Sequence, residues 1–218
     1  MAEIEIKPLE PATFADFAAI WERKSGLFSG CWCIHFHLGL DRPDEDNRGF
    51  KERMVAEGVA HAALVYVDGQ AVAWAEYGTP EELPNIHHRK QYDAETVTPP
   101  DYRITCIYVD QKHRKQGLGR VALDGAVDLI ARAGGGVVEG YPHDYTDRDP
   151  AKKINPSFIY NLTRHTYEQA GFTYVRPKGQ GNCVMSRTSR STSPTTRPSS
   201  PRSTPNGSPR GSAPSPAG

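Results

Sequence analysis

Hydrophobic and polar positions alternate over residues 3–7 (EIEIK), the period-two pattern of a short strand. Pro8 and Pro11 then punctuate, and the period changes. Phe14, Phe17, Ala18 and Trp21 fall on one face of a helix expected over 11–23. A second helix is expected over 44–57, opened by Pro43-Asp44. HAALVYV (61–67) and AVAWAEY (71–77) flank Asp68-Gly69, a strong hairpin signal. RITCIYV (103–109) is a mostly apolar run and predicts a buried strand. A helix over about 117–133 ends at Gly134-Gly135-Gly136, and VVEGY (137–141) is the next strand. Asn155-Pro156 predicts a helix start, with Asn as cap and Pro in the first turn; that helix is expected to reach Ala170 and stop at Gly171. FTYVRP (172–177) and NCVMSR (182–187) complete the strands. The order predicts an α/β fold with one mixed sheet flanked by helices.

Composition divides the chain in two. The 26 basic and 26 acidic side chains cancel, but residues 187–218 hold five Arg and no acid. This stretch is dominated by Ser, Thr and Pro and has no aliphatic residue larger than Ala, so it is expected to be a disordered tail. Without it, 21 basic and 26 acidic side chains remain, and residues 1–186 form the one expected domain, mildly acidic. That balance argues against a nucleic-acid binder. No apolar run approaches the ~20 residues that span a bilayer. The N-terminus lacks the apolar segment of a signal peptide, and four cysteines are too few for a disulfide framework. A cytoplasmic protein with no membrane partner is the expectation. In the tail, Ser193, Ser200, Thr204, Ser208 and Ser215 each precede proline, as kinase targets often do; an inert extension is the simpler reading.

Candidate chemistry centres on residues 107–119, IYVDQKHRKQGLG. A strand ends at Val109 and a glycine-containing turn opens a helix. The first amides of a helix have no partners within it, and its dipole favours negative charge, so this is a candidate anion site. His113, Arg114, Lys115 and Arg120 add positive potential. The segment lacks the Lys-Ser/Thr ending of an NTPase phosphate loop and the three-glycine dinucleotide fingerprint.

Val109–Gly119 resembles instead the acetyl-CoA signature of the GNAT N-acetyltransferase superfamily, Arg/Gln-x-x-Gly-x-Gly/Ala after a strand, through Arg114, Gly117 and Gly119. Gln111 and His113 depart mildly from it. Tyr167 to Phe172 (YEQAGF) resembles that superfamily's Tyr-x-x-x-Gly-Phe motif, and the element order over 1–186 is similar too. The resemblance implies the GNAT fold, a single mixed, mostly antiparallel central sheet. It implies that Ile107, Tyr108 and Val109 splay from a neighbouring strand and offer backbone groups to the pantetheine arm of acetyl-CoA. The backbone across Arg114, Lys115, Gln116, Gly117, Leu118, Gly119 and Arg120 would hold the pyrophosphate. It also implies direct acetyl transfer to an amine acceptor, by a monomer or homodimer.

The resemblance makes Tyr167 the acid that protonates the departing thiolate; a tyrosine packed on a helix face would read the same. For the base, Arg103 stands near the position where the superfamily often has glutamate. Glu76 and Asp101 are the carboxylates carried forward, with Glu139 and His143 as weaker candidates; a water chain would also serve. Tyr160 stands where the superfamily often has asparagine, and Asn161 follows. If no base works, the alternative is a degenerate domain that binds acyl-CoA as a sensor.

Cys31, Cys33, His35 and His37 alternate in CWCIHFH. As a strand they would span about 20 Å at ~3.3 Å per residue, too long for one metal. No metal is therefore expected, and the segment is read as packing or as a wall of the acceptor site. The long loops 79–100 and 141–155 are expected to close over the acceptor.

Overall fold

The computed structural model describes residues 2–23, 30–41, 44–96, 98–146 and 161–192. Its strands are β1 (Ile4–Pro8), β2 (His61–Val67), β3 (Gln70–Gly78), β4 (Tyr102–Val109), β5 (Gly135–Gly140), β6 (Thr173–Lys178) and β7 (Asn182–Arg190). They form one sheet in the order β1-β2-β3-β4-β5-β7-β6, in which only β4 and β5 run parallel. The mixed, mostly antiparallel sheet of the sequence reading is present.

Helices cover both faces. Helix α4 (Leu118–Arg132) buries Leu118, Ala122, Leu123, Ala126, Val127 and Ile130 against Ala63, Val65, Ala73 and Ile107. On the other face, α1 (Phe14–Arg23) and α2 (Asn47–Ala56) cover Leu64, Tyr66 and Trp74. Local signals account for several boundaries. Asp68 and Gly69 take φ of 48° and 79°, the left-handed pair that a tight hairpin turn needs. Thr13 and Glu10 form a reciprocal capping box before α1.

Four expectations are corrected. Helix α2 starts at Asn47, because Asp46 rather than Asp44 is its cap, accepting from the Gly49 amide at 2.7 Å. The stretch 79–100 is not all loop: Arg89–Glu95 is helix α3. Its Tyr92 is buried among Ile86, Tyr141 and Val184. Within the described part of the helix expected over 155–170, Leu162 is left-handed (φ 58°) and Thr163 extended, so only Arg164–Gln169 is helix there (α5). Strand β7 continues to Arg190, four residues into the stretch assigned to the tail, because Thr188–Arg190 pair with Gly135–Val137 of β5. The helix start at Asn155-Pro156, the site of Tyr160 and the Ser/Thr-Pro positions lie outside the described residues. Among the described residues, no helix is long and apolar enough to cross a membrane.

Candidate active site

The site begins where two parallel strands separate. β4 pairs with β5 only over Tyr102–Ile104, opposite Val138–Gly140. β5 then ends, while β4 runs five residues further, to Val109. The separation has a local cause. Glu76 of β3 lies opposite Cys106 and Tyr77 opposite Ile104, so Thr105 is an extra residue on β4. Such a bulge bends its strand. The Thr105 hydroxyl donates to Glu76 Oε2 at 2.7 Å, which pins the bulge in place. A wedge opens, with the free edge of β4 as one wall.

Beyond Val109 the chain makes a short turn onto α4. Asp110 caps Gln111–His113 by accepting from the Lys112 amide at 3.0 Å. Lys115 and Gly117 are left-handed (φ 63° and 79°), and Gly117 is the N-cap of α4. Lys112, Arg114, Lys115, Gln116 and Gly117 are exposed, whereas Leu118 and Gly119 are buried. Gly119 is packed closely: a Cβ there would stand 2.7 Å from Leu162 Cδ2 and 3.6 Å from Val109 Cγ2. Arg120 is neutralised by Asp124 at 2.7 Å. Lys112, Arg114 and Lys115 make no ion pair among the described residues. Exposed positive charge and unpaired helix-start amides thus converge at the end of β4, which suits a polyphosphate.

Tyr167 sits at the vertex of the wedge. Its ring lies against the α-carbon of Gly140, the last residue of β5, leaving no room for a Cβ. Its hydroxyl donates to Asn161 Oδ1 at 3.1 Å, and Asn161 Nδ2 donates to the Tyr141 carbonyl at 3.1 Å. Burial, reinforced by the Cys183 and Cys106 thiols, pushes the Tyr167 hydroxyl well above the ordinary tyrosine range. It is held protonated.

A family model described as "Acetyltransferase (GNAT) family" matches residues 26–150, more than half of the chain. The chain belongs to the GNAT acetyltransferase family. Among solved structures, the GNAT domain of S. lividans PAT aligns at TM-score 0.50 and 12% identity, over 85% of this chain and 90% of that one. A ribosomal-protein-S18-alanine N-acetyltransferase from Escherichia coli aligns at TM-score 0.45 and 14% identity, over 89% and 99%. An acetyltransferase from Corynebacterium glutamicum, described as HPA2 and related, gives 0.48 and 15%, over 89% and 99%. No curated protein matched the chain in sequence.

The remaining sequence candidates of this GNAT chain are placed as follows. Ile107 is buried under α4, and Tyr108 stacks on Trp74 with centroids 4.6 Å apart. Glu76 is 1% exposed. Its Oε1 accepts from Lys51 Nζ at 2.7 Å and its Oε2 from Thr105. His37 Nε2 lies 3.0 Å from the same Lys51 nitrogen, and His37 Nδ1 lies 2.9 Å from the Glu82 carbonyl, which assigns the His37 proton to Nδ1. Burial alone would raise the Glu76 carboxyl, but the Lys51 ammonium outweighs it and holds the carboxyl well below the ordinary carboxylate range. Asp101 is exposed, and its Oδ2 accepts from the Val137 amide at 2.7 Å, fastening the closed end of the β4–β5 pair. It stands at the end of β4 away from the wedge.

The segment 31–37 is not a strand. Trp32 and Cys33 are left-handed and Ile34–His37 is a short 3-10 helix. Trp32 stacks on Trp21 at 5.7 Å, His35 stacks on His87 at 4.6 Å, and His37 joins Lys51 and Glu76. Among the described residues no three His, Cys, Asp or Glu side chains converge on a point that would hold a metal.

The sequence singled out Arg103 and Glu139 separately, but it gave no sign of Lys178 or of their gathering near His87. Burial first, then His35 and Lys178, lowers the His87 imidazole to about 4. Lys178 is 2% exposed, donates to the His87 carbonyl and lies over the Tyr141 ring. Burial first, then Arg103 and Arg176, lowers its ammonium to about 8. Glu139 accepts from Tyr92 at 2.6 Å and from Tyr141 at 3.2 Å. Arg103 donates to the Leu83 carbonyl at 3.0 Å. His87, Arg103, Glu139 and Lys178 are 16 to 91 positions apart in sequence, and no local pattern joins them. Near them, His143, Asp144, Thr163, Arg164 and Glu168 line a cleft of about 480 Å³. Among the described residues, its lining includes none from β4 or the 114–120 turn.

Proposed function

We propose that the chain transfers an acetyl group from acetyl-CoA to an amine of a small molecule or peptide. The observation that carries this reading is the early end of the β4–β5 pair, with a free strand edge running from Tyr167 to the start of α4. Acetyl-CoA fits what lies there: an extended arm along β4, and a pyrophosphate over Leu118, Gly119 and the flanking Arg114 and Lys115. When bound, it supplies an activated thioester.

The residues then have separable tasks. The edge of β4 over Ile107–Val109 orients the bound arm by backbone hydrogen bonds. The amides at the start of α4 and the exposed Arg114 and Lys115 fix the phosphates. Tyr167, held protonated, stabilises the departing sulfur by turning its hydroxyl from Asn161 to donate a hydrogen bond to it. Glu76 has both carboxylate oxygens engaged and Asp101 lies away from the wedge, so neither serves as base in this reading. Their work is to hold the bulge and the closed end of the strand pair. Proton removal from the acceptor falls to water.

The same engagement of Glu76 and Asp101 favours a second reading, an acyl-CoA-binding domain without turnover. Thiol release from acetyl-CoA, followed over a panel of amines, aminoglycosides and peptide N-termini, separates the two. Release that depends on an amine supports the enzyme. A rise in melting temperature with acetyl-CoA, and no release with any amine, supports the binding domain.

A further inference from the structure

The CWC turn leaves one contact that acetyl transfer does not use. Cys33 Sγ lies 3.1 Å from Cys106 Sγ, across 73 residues of sequence. Cys33 is buried at 2% exposure and Cys106 is half-buried; both are reduced thiols. The turn that makes the contact is unusual. Trp32 and Cys33 both hold left-handed backbone, which residues with side chains rarely adopt. Cys106 is the first residue of β4 beyond the Thr105 bulge, opposite Glu76.

We propose that Cys33 and Cys106 are an oxidisable pair that closes to a disulfide, clasping the 31–37 turn to β4 where β4 has left β5. A disulfide needs a sulfur separation of ~2.04 Å, so closure asks for about 1 Å of movement. The roles of the two sulfurs differ. Burial, then the hydrogen bond to Cys106, raises the Cys33 thiol well above its ordinary range, so Cys33 is the poorer first nucleophile. Cys106, more open to solvent, reacts first with a peroxide: its thiolate attacks one oxygen, the O–O bond breaks, and water leaves as Cys106 becomes a sulfenic acid. The Cys33 sulfur then attacks the Cys106 sulfur, the S–O bond breaks, and a second water leaves. Two thiols and one peroxide thus give one disulfide and two waters. Cys31 is half-buried beside the turn, while Cys183 packs on the opposite face of the sheet, against the cluster under α4.

The test uses the full chain and does not depend on acetyl transfer. Reduced protein is treated with hydrogen peroxide, remaining thiols are alkylated, and the peptides are mapped by mass spectrometry. The expected result is loss of two of the four thiols, a cross-link between the peptides carrying Cys33 and Cys106, and its reversal by dithiothreitol. Cys31→Ser should keep the cross-link and Cys33→Ser should abolish it. If Cys33→Ser does not fold, fragmentation of the wild-type cross-linked peptide still tells Cys33 from Cys31. A Cys31–Cys33 bond, a Cys106 sulfinic acid with Cys33 still alkylatable, or four unreacted thiols would each overturn the proposal.

Discussion

The ring of Tyr167 occupies the space that a side chain on Gly140 would need: a Cβ there would lie 2.7 Å from Tyr167 Cζ and 2.8 Å from its hydroxyl. Gly140 is the residue at which β5 stops pairing with β4. The absence of a side chain at this one position lets the aromatic ring fill the vertex of the wedge. Gly140→Ala is therefore expected to push Tyr167 out of register, at about 1–3 kcal/mol of overpacking cost. Urea titration gives the stability change, and turnover should fall by more than the unfolded fraction explains. Unchanged stability would show that the ring relocates freely.

Tyr167→Phe keeps the ring and removes the hydroxyl. The expected outcome is a kcat lowered by about 100-fold or more, with acetyl-CoA affinity nearly unchanged. Asn161 Oδ1 would lose its donor, at about 1–3 kcal/mol. Isothermal titration with acetyl-CoA separates the two effects. Full turnover in the variant would remove Tyr167 from the chemistry.

Gly119 is buried between Leu162 and Val109 at the first turn of α4. Alanine there meets only the flexible end of Leu162 and should be tolerated. Gly119→Trp should abolish acetyl-CoA binding, read by titration, with the fold checked by circular dichroism. Retained affinity would place the pyrophosphate elsewhere.

Much of this architecture was legible in the chain, and the reasons differ by element. The alternation in 61–77 around Asp68-Gly69 predicts the β2–β3 hairpin because period and turn chemistry agree. Gly117 and Gly119 mark the turn onto α4 because the backbone there is left-handed at one and buried at the other. The bulge at Thr105 left no local trace, since it is defined by its pairing with Glu76 and Tyr77 on another strand. Helix α3 was missed because Arg89–Glu95 is mostly polar, with only Tyr92 buried. Glu76 was singled out as a carboxylate near the site. Nothing local to it shows that Lys51, 25 residues away, and Thr105, 29 residues away, would take both its oxygens.

The Lys51–Glu76 pair bears on stability, because both side chains are 1% exposed. Lys51→Met strands a carboxylate in the core and is expected to cost about 3–5 kcal/mol. Lys51→Met combined with Glu76→Leu removes both charges and should recover much of that loss. A double-mutant cycle by chemical denaturation checks it. A double variant as unstable as the sum of the singles would mean that the pair is not coupled.

Two groups, the exposed His87 and the buried Glu76, contribute to the acid limb of the stability curve. His87 titrates at about 4 in the folded chain, mainly because of desolvation, against an ordinary 6.5. Between these values the unfolded chain binds a proton that the folded chain refuses, so stability falls as pH drops from 6.5 to about 4. Glu76 titrates at about 2, against an ordinary 4.5. Its contribution is complete above 4.5 and is lost as pH falls toward 2. The two windows join, so destabilisation should begin below pH 6.5 and continue without a plateau. His87→Phe keeps an aromatic ring against His35 and removes the His87 share of the first window, leaving that of His35, which burial also lowers. Urea midpoints at pH 7.5 and pH 5 should therefore differ less in the variant than in the wild type. An equal drop in both would mean that His87 gains its proton as readily in the folded chain as in the unfolded one.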